Sequence, residues 1–216
     1  MRINFPVTGR RSKQAGFSLV EMVIVAAIVL AATATAMINL LPSIKTSRSN
    51  AAMELVLGEL RRAHERAVDE RRIYRVTFTA PNTIQVDVGA VAVIGSTITN
   101  SAPVFAPAQP ALPLPGTVQF VVVPGVPTNP LATPDGLGTA ANAIDFDLAS
   151  GGGGNQIYFQ PDGRALDARN QLNDGVVYLA EPNNLSSSRA VSLFGSTGRT
   201  KGWMFSQVNG NAGWVQ

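Results

Sequence analysis

The sequence contains no cysteine and only one histidine, His64. Without cysteine the chain has no disulfide framework, no thiol nucleophile and no thiolate metal site. His64 lies among charged residues and has no second histidine to pair with, so we expect no catalytic or metal-binding role for it. Charged residues are also scarce, at 14% against 45% hydrophobic in 216 residues. This composition allows one domain and an additional apolar segment, and we predict neither an enzyme nor a bound cofactor.

Basic residues exceed acidic ones by three, but the excess is local. Four of the 17 basic residues, at positions 2, 10, 11 and 13, lie in the first 16 residues, where there is no acidic residue. The other 13 basic residues face 14 acidic ones. The positive balance therefore belongs to a short N-terminal leader and not to the body of the protein.

A long apolar stretch follows this leader. From Phe17 to Leu41 the only ionisable side chain is Glu21. At about 1.5 Å per residue, a helix of this length spans the roughly 30 Å core of a bilayer. We predict a transmembrane helix over 17–42, with the basic residues upstream keeping the N-terminus in the cytoplasm. The alternative is a conventional signal peptide cut near Ala34–Ala36, although such signals have a shorter apolar core of about 7–15 residues.

The residues around the start of this stretch form a motif. Lys13 to Glu21 reads KQAGFSLVE and resembles the cleavage and methylation motif of type IV prepilins and type II secretion pseudopilins. The resemblance implies that a prepilin peptidase cuts between Gly16 and Phe17 and that Phe17 becomes the N-methylated N-terminus. A leader over 1–16 follows from this site.

Glu21 is an unusual residue for a membrane helix. A carboxylate at the centre of a bilayer costs about 2.5–3.5 kcal/mol even on insertion scales, so it needs a partner or a proton. The resemblance implies that Glu21 pairs with the new amine at Phe17 of a neighbouring subunit during filament assembly. The alternative is that the side chain extends to the nearby cytoplasmic headgroups.

The helix is expected to continue beyond the membrane. Pro42 is predicted to interrupt or kink it, because proline removes a backbone donor and clashes with the preceding turn. From Ser43 to about Arg72 apolar residues recur every three or four positions, which predicts an amphipathic half whose stripe packs on a sheet. The stripe consists of Met53, Val56, Leu57, Leu60, Ala63 and Ala67.

The rest of the chain is typical of β structure. Alternating, β-branched segments predict strands at 74–79, 83–88, 118–123, 143–147, 156–159, 175–180 and 190–194, with a hairpin turn at Ala80–Asn82. Proline-, alanine- and glycine-rich stretches at 101–116, 124–138 and 151–154 predict loops.

Three further segments, in the same order along the chain, resemble the GspH/FimT branch of pseudopilins and minor pilins. They are 60–78, the strand and turn at 157–163, and the strand at 189–193 with Gly198-Arg199. The resemblance implies an α+β, type IV pilin-like fold in which a long N-terminal helix packs on a β-rich sandwich over 43–216. It also implies a minor subunit anchored once in the bacterial inner membrane, with a periplasmic domain and with other pilins or pseudopilins as partners. An unrelated membrane-anchored periplasmic domain remains an alternative.

Two stretches contain residue types that occur in ligand sites. Asp145 and Asp147 share one face of a predicted strand, but the six to eight oxygen ligands that calcium prefers are not evident, so we expect a solvated face and no metal site. The segment Gly195–Lys201 does not match a phosphate-binding loop, because Lys201 is followed by glycine instead of serine or threonine.

The C-terminal part supplies an alternative function. After Glu181 there is no acidic residue, whereas Arg189, Arg199 and Lys201 remain. Gly198 to Lys201 resembles the glycine–arginine motif through which minor pilins of this branch bind DNA, with lysine as the second basic residue. Three cations would give a weak, salt-sensitive and sequence-independent contact with phosphates. The competing interpretation is a surface turn whose basic residue pairs with an acidic one elsewhere in the domain.

Overall fold

The computed structural model describes residues 18–90, 104–127, 133–208 and 211–216, apart from the side chains of 35–42, 90, 208 and 211. The chain divides into two compact units, Met1–Pro42 and Ser43–Gln216. The predicted leader and the cleavage position at Gly16 and Phe17 lie outside the described residues.

One helix, α1, extends from Leu19 to Asp69. Of the two outcomes predicted at Pro42, the interruption is wrong, because the helix continues through this residue. The kink stays a prediction. A proline removes a single hydrogen bond from the ladder, and the many remaining bonds of a 51-residue helix are sufficient to continue it. The helix ends three residues before the predicted limit, and Arg71 then takes up a left-handed conformation with φ of 53°.

The N-terminal part of α1 leaves its large apolar side chains exposed. They are Leu19, Val20, Met22, Val23, Ile24, Val25, Ile28, Val29 and Leu30. Within the described residues, no helix meets the combined length and hydropathy required for crossing a membrane. The predicted span over 17–42 includes Phe17 and the side chains of 35–42, which lie outside that description.

The C-terminal part of α1 is amphipathic, as predicted. All six residues of the predicted stripe are buried, and Val56, Leu60 and Ala67 are fully so. They belong to the main core of the second unit. The 3.6-residue period of the sequence therefore identified the buried face of this helix correctly.

Eleven strands are present in the described residues, and they form two antiparallel sheets. In chain order they are β1 (Tyr74–Thr79), β2 (Thr83–Ala90), β3 (Val104–Pro107), β4 (Leu112–Pro113), β5 (Ile144–Asp145), β6 (Gln156–Phe159), β7 (Ala165–Leu166), β8 (Gly175–Leu179), β9 (Arg189–Phe194), β10 (Arg199–Val208) and β11 (Asn211–Val215). The first sheet has the order β3-β2-β1-β6-β7, with β4 also paired to β2. The second has the order β11-β10-β9-β8-β5.

The inner faces of both sheets share one core with α1. Phe78 is fully buried and contacts Phe120 and Phe146, with ring centroids 5.6 and 5.4 Å apart. Val177, Leu179, Val191 and Leu193 contribute from the second sheet. The predicted α+β class, a long N-terminal helix followed by β sheets, is thus confirmed.

Several strand predictions hold and others do not. The strands β1, β2, β6, β8 and β9 agree with the predicted segments to within one or two residues. The predicted strand at 118–123 is wrong: Gln119 makes an isolated bridge to Ala180, while the Phe120 amide donates to the carbonyl of Pro81. These backbone groups bond to two separate segments, so no continuous ladder forms. The predicted strand at 143–147 is reduced to two residues, because Asp147 is left-handed with φ of 60°.

Candidate functional site

Glu21 lies in the first turn of α1, where its side chain is exposed. Exposed apolar side chains surround it in sequence, among them Val20, Met22 and Val25. A carboxylate in such a stripe has no apolar role of its own. The predicted pairing of Glu21 with the amine of a neighbouring subunit stays a prediction.

Arg189 does not join the other two basic residues of the predicted DNA site. It lies in β9 opposite Met204, whose side chain packs against the main core, so Arg189 points to the inner face of the sheet. Its guanidinium donates to Asn50 Oδ1 at 2.7 Å and to the carbonyls of Ser186 and Ser188 at 3.0 and 2.8 Å. Only 3% of Arg189 is exposed, and this burial lowers the pKa of its guanidinium. As placed, Arg189 is not accessible to a phosphate group.

Arg199 and Lys201 do lie together, on the outer face of the second sheet. They are two residues apart in β10, whereas the intervening Thr200 is buried. Lys201 is engaged: its Nζ lies 2.5 Å from Oδ1 of Asp135. The other oxygen of Asp135 accepts a hydrogen bond from Ser192, which also accepts one from the indole of Trp203. The competing interpretation, in which a basic residue of this turn pairs with an acidic residue elsewhere, therefore describes Lys201.

Arg199 instead borders an open cleft. The cleft is formed by the exposed side of α1, with Arg61, His64 and Glu65, and by the turn from Thr197 to Thr200. Arg199 is exposed, and its guanidinium lies 5.6 Å from the ring centroid of Phe194. Arg61 was not predicted as a site residue, because its proximity to Arg199 depends on a contact between a helix and a distant turn.

The turn explains why position 198 is glycine. Gly198 has a left-handed φ of 64°, and a Cβ built on it would lie 2.5 Å from Cδ2 of His64. His64 in turn contacts the carbonyl of Gly163 through Nε2 at 3.0 Å and packs edge-on against Phe159. The histidine thus fastens two turns to α1, which is a structural role.

The two aspartates considered as metal ligands have different surroundings. The expected solvated face is wrong for Asp145, which is 2% exposed and accepts hydrogen bonds from the amides of Gly153 and Thr139. Asp147 is half-buried; loss of solvation, with a further contribution from the charge of Asp167, raises the pKa of its carboxyl. Among the described residues, no group of three or more histidine, aspartate or glutamate side chains could hold a metal ion.

Comparison with known proteins identifies the N-terminal segment. Residues 11–37 match the model of the prokaryotic N-terminal methylation motif. Among solved structures, the chain is similar to the type IV minor pilin FimU of Pseudomonas aeruginosa (strain PAO1), with a TM-score of 0.39 and 13% sequence identity. That similarity covers 76% of this chain and 90% of the FimU chain. No curated protein sequence matches the chain.

The matched segment contains the predicted cleavage position, the residue predicted to be methylated and Glu21. The prepilin-type N-terminus recognised from the sequence is therefore confirmed, and the chain carries the N-terminal methylation motif of prokaryotic prepilins.

Proposed function

We propose that this chain is a minor subunit of a filament of the type IV pilus or type II secretion pseudopilus class. In this proposal a prepilin peptidase removes residues 1–16 and methylates Phe17. The mature subunit is anchored in the inner membrane, with the second unit in the periplasm, and is then extracted into the filament. Its role is structural, in protein secretion or pilus assembly.

The observation that carries the proposal is the methylation motif at 11–37, which coincides with the exposed apolar part of α1. Side chains such as Val23, Ile28 and Leu30 are each more than half exposed. Burying apolar surface contributes roughly 25 cal/mol per Å². Lipid tails before assembly and the helices of neighbouring subunits after it would both supply that burial.

Electrostatics supports the same sequence of events. The basic residues at 10, 11 and 13 favour a cytoplasmic N-terminus before cleavage. Cleavage removes these cations and creates one new cation, the amine of Phe17. Because Glu21 lies four residues further along, its carboxylate in one subunit can pair with that amine in the next, which would fix the axial offset between neighbours.

The experiment compares Glu21→Val with wild type in cells that assemble the filament. Glu21→Val should still be inserted and cleaved, and its N-terminus by mass spectrometry should begin at residue 17. It should be absent from the sheared or co-purified filament fraction, because the subunit can no longer neutralise its neighbour's amine. The matched control is Val25→Leu, an apolar change one turn further along, which should assemble normally.

Two outcomes would contradict the proposal. A wild-type N-terminus at Met37 would establish a conventional signal peptide. Normal incorporation of Glu21→Val would remove the charge pairing from the assembly mechanism, while leaving the processing step in place.

DNA binding, in the service of DNA uptake, is a second candidate function. The observation that favours it is the cleft that exposed Arg199 and exposed Arg61 both line. Lys201 would contribute only after release from Asp135, and buried Arg189 would not contribute. Two or three phosphate contacts predict binding to DNA of any sequence that weakens steeply with salt.

A fluorescence titration of labelled DNA at several salt concentrations tests this function on the full chain in detergent. If Arg199 and Arg61 each contact a phosphate, Arg199→Ala should weaken binding and reduce the log–log salt slope by about 0.9, and adding Arg61→Ala should reduce it by a similar amount. Arg169→Ala is the matched control, because this exposed arginine is not among the residues that line the cleft. Absence of binding by wild type at low salt would eliminate the DNA function and leave the filament role untouched.

A further inference from the structure

A small hollow lies on the outer face of the first sheet. Its volume is about 230 Å³, and it is bordered by Ile73, Phe105 and Tyr158 together with Gln160, which follows β6, and with residues of the turn after β7. Pockets that hold drug-sized ligands usually occupy about 300–1,000 Å³, so this hollow suits a smaller unit. Neither the apolar helix nor the basic cleft contributes to it.

The register of the strands explains which side chains border the hollow. Tyr158 pairs with Arg75 and Phe105 pairs with Gly89, so all four positions belong to the outer face. The amide of Gly89 donates to the carbonyl of Ile73, which puts glycine in the same row as Ile73 and Phe105. Ile73, Phe105 and Tyr158 therefore border the hollow from one face of the sheet, although they come from three separate segments of the chain.

Two aromatic rings form a corner of the hollow. The rings of Phe105 and Tyr158 have centroids 5.6 Å apart and an interplanar angle of 63°. The Tyr158 hydroxyl is held by Gln156 at 2.8 Å, which fixes the ring. Two rings that meet edge to face do not make a parallel slot for a flat base. They offer apolar surface to a puckered ring with C–H bonds on its faces.

The charges next to this corner are already compensated. Arg75 lies over Phe105, with its guanidinium carbon 4.3 Å from the ring centroid. The same guanidinium donates twice to Asp87 Oδ2, at 3.1 and 2.6 Å. Among the residues that line the hollow, the charged one is Asp167, which is 5% exposed and accepts backbone hydrogen bonds from Arg169 and Gln171 at 2.8 Å. None of the residues that line the hollow carries a positive charge, and the carboxylate of Asp167 would repel an anionic ligand.

The polar rim can both donate and accept hydrogen bonds. Gln160 and Asn170 border the hollow, and within the described part of the chain their side-chain amides have no hydrogen-bond partner. Each amide supplies an N–H₂ donor and a carbonyl acceptor side by side. This combination matches hydroxyl groups, which also donate and accept.

We propose that this hollow binds a single neutral sugar ring, as the terminal unit of a glycan. The C–H face of the pyranose packs on Phe105 and Tyr158, and its hydroxyls bond to Gln160 and Asn170. The proposal gives the chain a surface for recognising carbohydrate, which is independent of how its N-terminal helix assembles.

Isothermal titration calorimetry of the full chain, in a detergent without a sugar headgroup, tests the proposal. The probes are glucose, galactose, mannose and the two N-acetylhexosamines derived from glucose and galactose. At least one should bind with a Kd of about 1 mM, as expected for a ligand of so few atoms. Sialic acid, which carries a carboxylate, should bind at least tenfold more weakly than the best neutral sugar.

Variants locate the binding. Phe105→Leu keeps apolar bulk but removes the ring and should weaken binding at least tenfold. Gln160→Ala should weaken it about fivefold, the usual effect of one lost hydrogen bond. Gln171→Ala is the matched control, because Gln171 is exposed beside the same turn but does not line the hollow, and it should bind as wild type does.

The proposal is overturned if none of the neutral sugars binds at concentrations well above the expected Kd. It is equally overturned if a sugar binds and Gln160→Ala and Phe105→Leu both retain wild-type affinity, since the sugar then occupies another surface. Melting curves of both variants accompany the titrations. If Phe105→Leu does not fold, the Gln160→Ala result decides, because this partly exposed side chain carries no hydrogen bond in the described structure.

Discussion

The two parts of helix α1 use similar amino acids in opposite ways. In the N-terminal part, Leu30 is 71% exposed and other large apolar residues are at least half exposed. In the C-terminal part, Val56 and Leu60 are completely buried. Both parts are helical, so secondary structure does not distinguish them. The distribution of apolar residues around the helix does.

In the C-terminal part, apolar residues occupy one stripe and charged residues occupy the remainder, which is the pattern of a helix with one protein partner. In the N-terminal part, apolar residues cover all sides, which is the pattern of a helix that needs an apolar environment all round. One continuous helix can therefore contain two parts that require different environments, because their apolar residues are distributed differently around the helix axis. The core of the second unit buries the apolar stripe of the C-terminal part. We propose that lipid and neighbouring subunits bury the N-terminal part.

The largest effect is expected from Gly16→Leu. The resemblance to prepilins places Gly16 immediately before the cut bond, where a bulky side chain should block the peptidase completely. Mass spectrometry of the membrane fraction should then find only the uncleaved precursor. Gln14→Ala, two residues away, serves as control and should be processed. Complete processing of Gly16→Leu would contradict the assignment of the cleavage site.

Two leucine-to-alanine substitutions, one in each part of α1, test directly whether the two parts contribute differently to stability. Leu60→Ala should lower the free energy of unfolding of the second unit by roughly 2–5 kcal/mol, because it removes buried methyl groups and leaves a cavity. Leu30→Ala should leave that free energy unchanged. Both tryptophans, Trp203 and Trp214, lie in the second unit, so their fluorescence during urea unfolding reports on this unit alone. Equal destabilisation by the two substitutions would mean that the two parts of α1 do not differ as described.

A smaller effect concerns pH and is confined to the second unit. The raised pKa of Asp147 in the folded state means that its charge opposes folding at neutral pH. This penalty is relieved as pH falls through the raised value towards the ordinary one of 3.8, because the folded state then binds the proton more readily. Asp147→Asn, which also suits the left-handed backbone, should raise the melting temperature at pH 7, and its advantage should shrink as pH falls.

Asp162→Asn serves as a control, because the pKa of Asp162 is shifted in the opposite direction from that of Asp147. Hydrogen bonds from the backbone and side chain of Arg164 lower the pKa of the Asp162 carboxyl. Its charge therefore favours folding above the ordinary pKa, and this contribution is lost at lower pH. Asp162→Asn should be slightly less stable than wild type at pH 7, and the difference should disappear on acidification. Parallel pH profiles for the two variants would contradict both assignments.

Local patterns account for what could be predicted from the sequence. The methylation motif is a short run of consecutive residues, and the buried stripe of α1 depends only on the helical period. Strands β1, β6 and β8 are likewise visible as alternating or β-branched runs of their own. Two predictions failed because the outcome depended on more than the local segment. The predicted strand at 118–123 does not form because its backbone groups bond to two separate segments. The predicted interruption at Pro42 does not occur because the rest of a long helix continues through it.

The sequence by itself determined the prepilin-type N-terminus, the long helix and the α+β class, because each is encoded by neighbours along the chain. The tertiary structure alone decided which basic residues meet. Arg189 and Lys201 lie only twelve positions apart, yet strand pairing puts them on opposite faces of one sheet, where Asn50 binds the first and Asp135 the second. The hollow beside Phe105 likewise depends on residues of β3, of the segment after β6 and of the turn after β7, which only the sheet brings together. Such contacts join residues far apart in sequence, and their register is set by the packing of the whole domain.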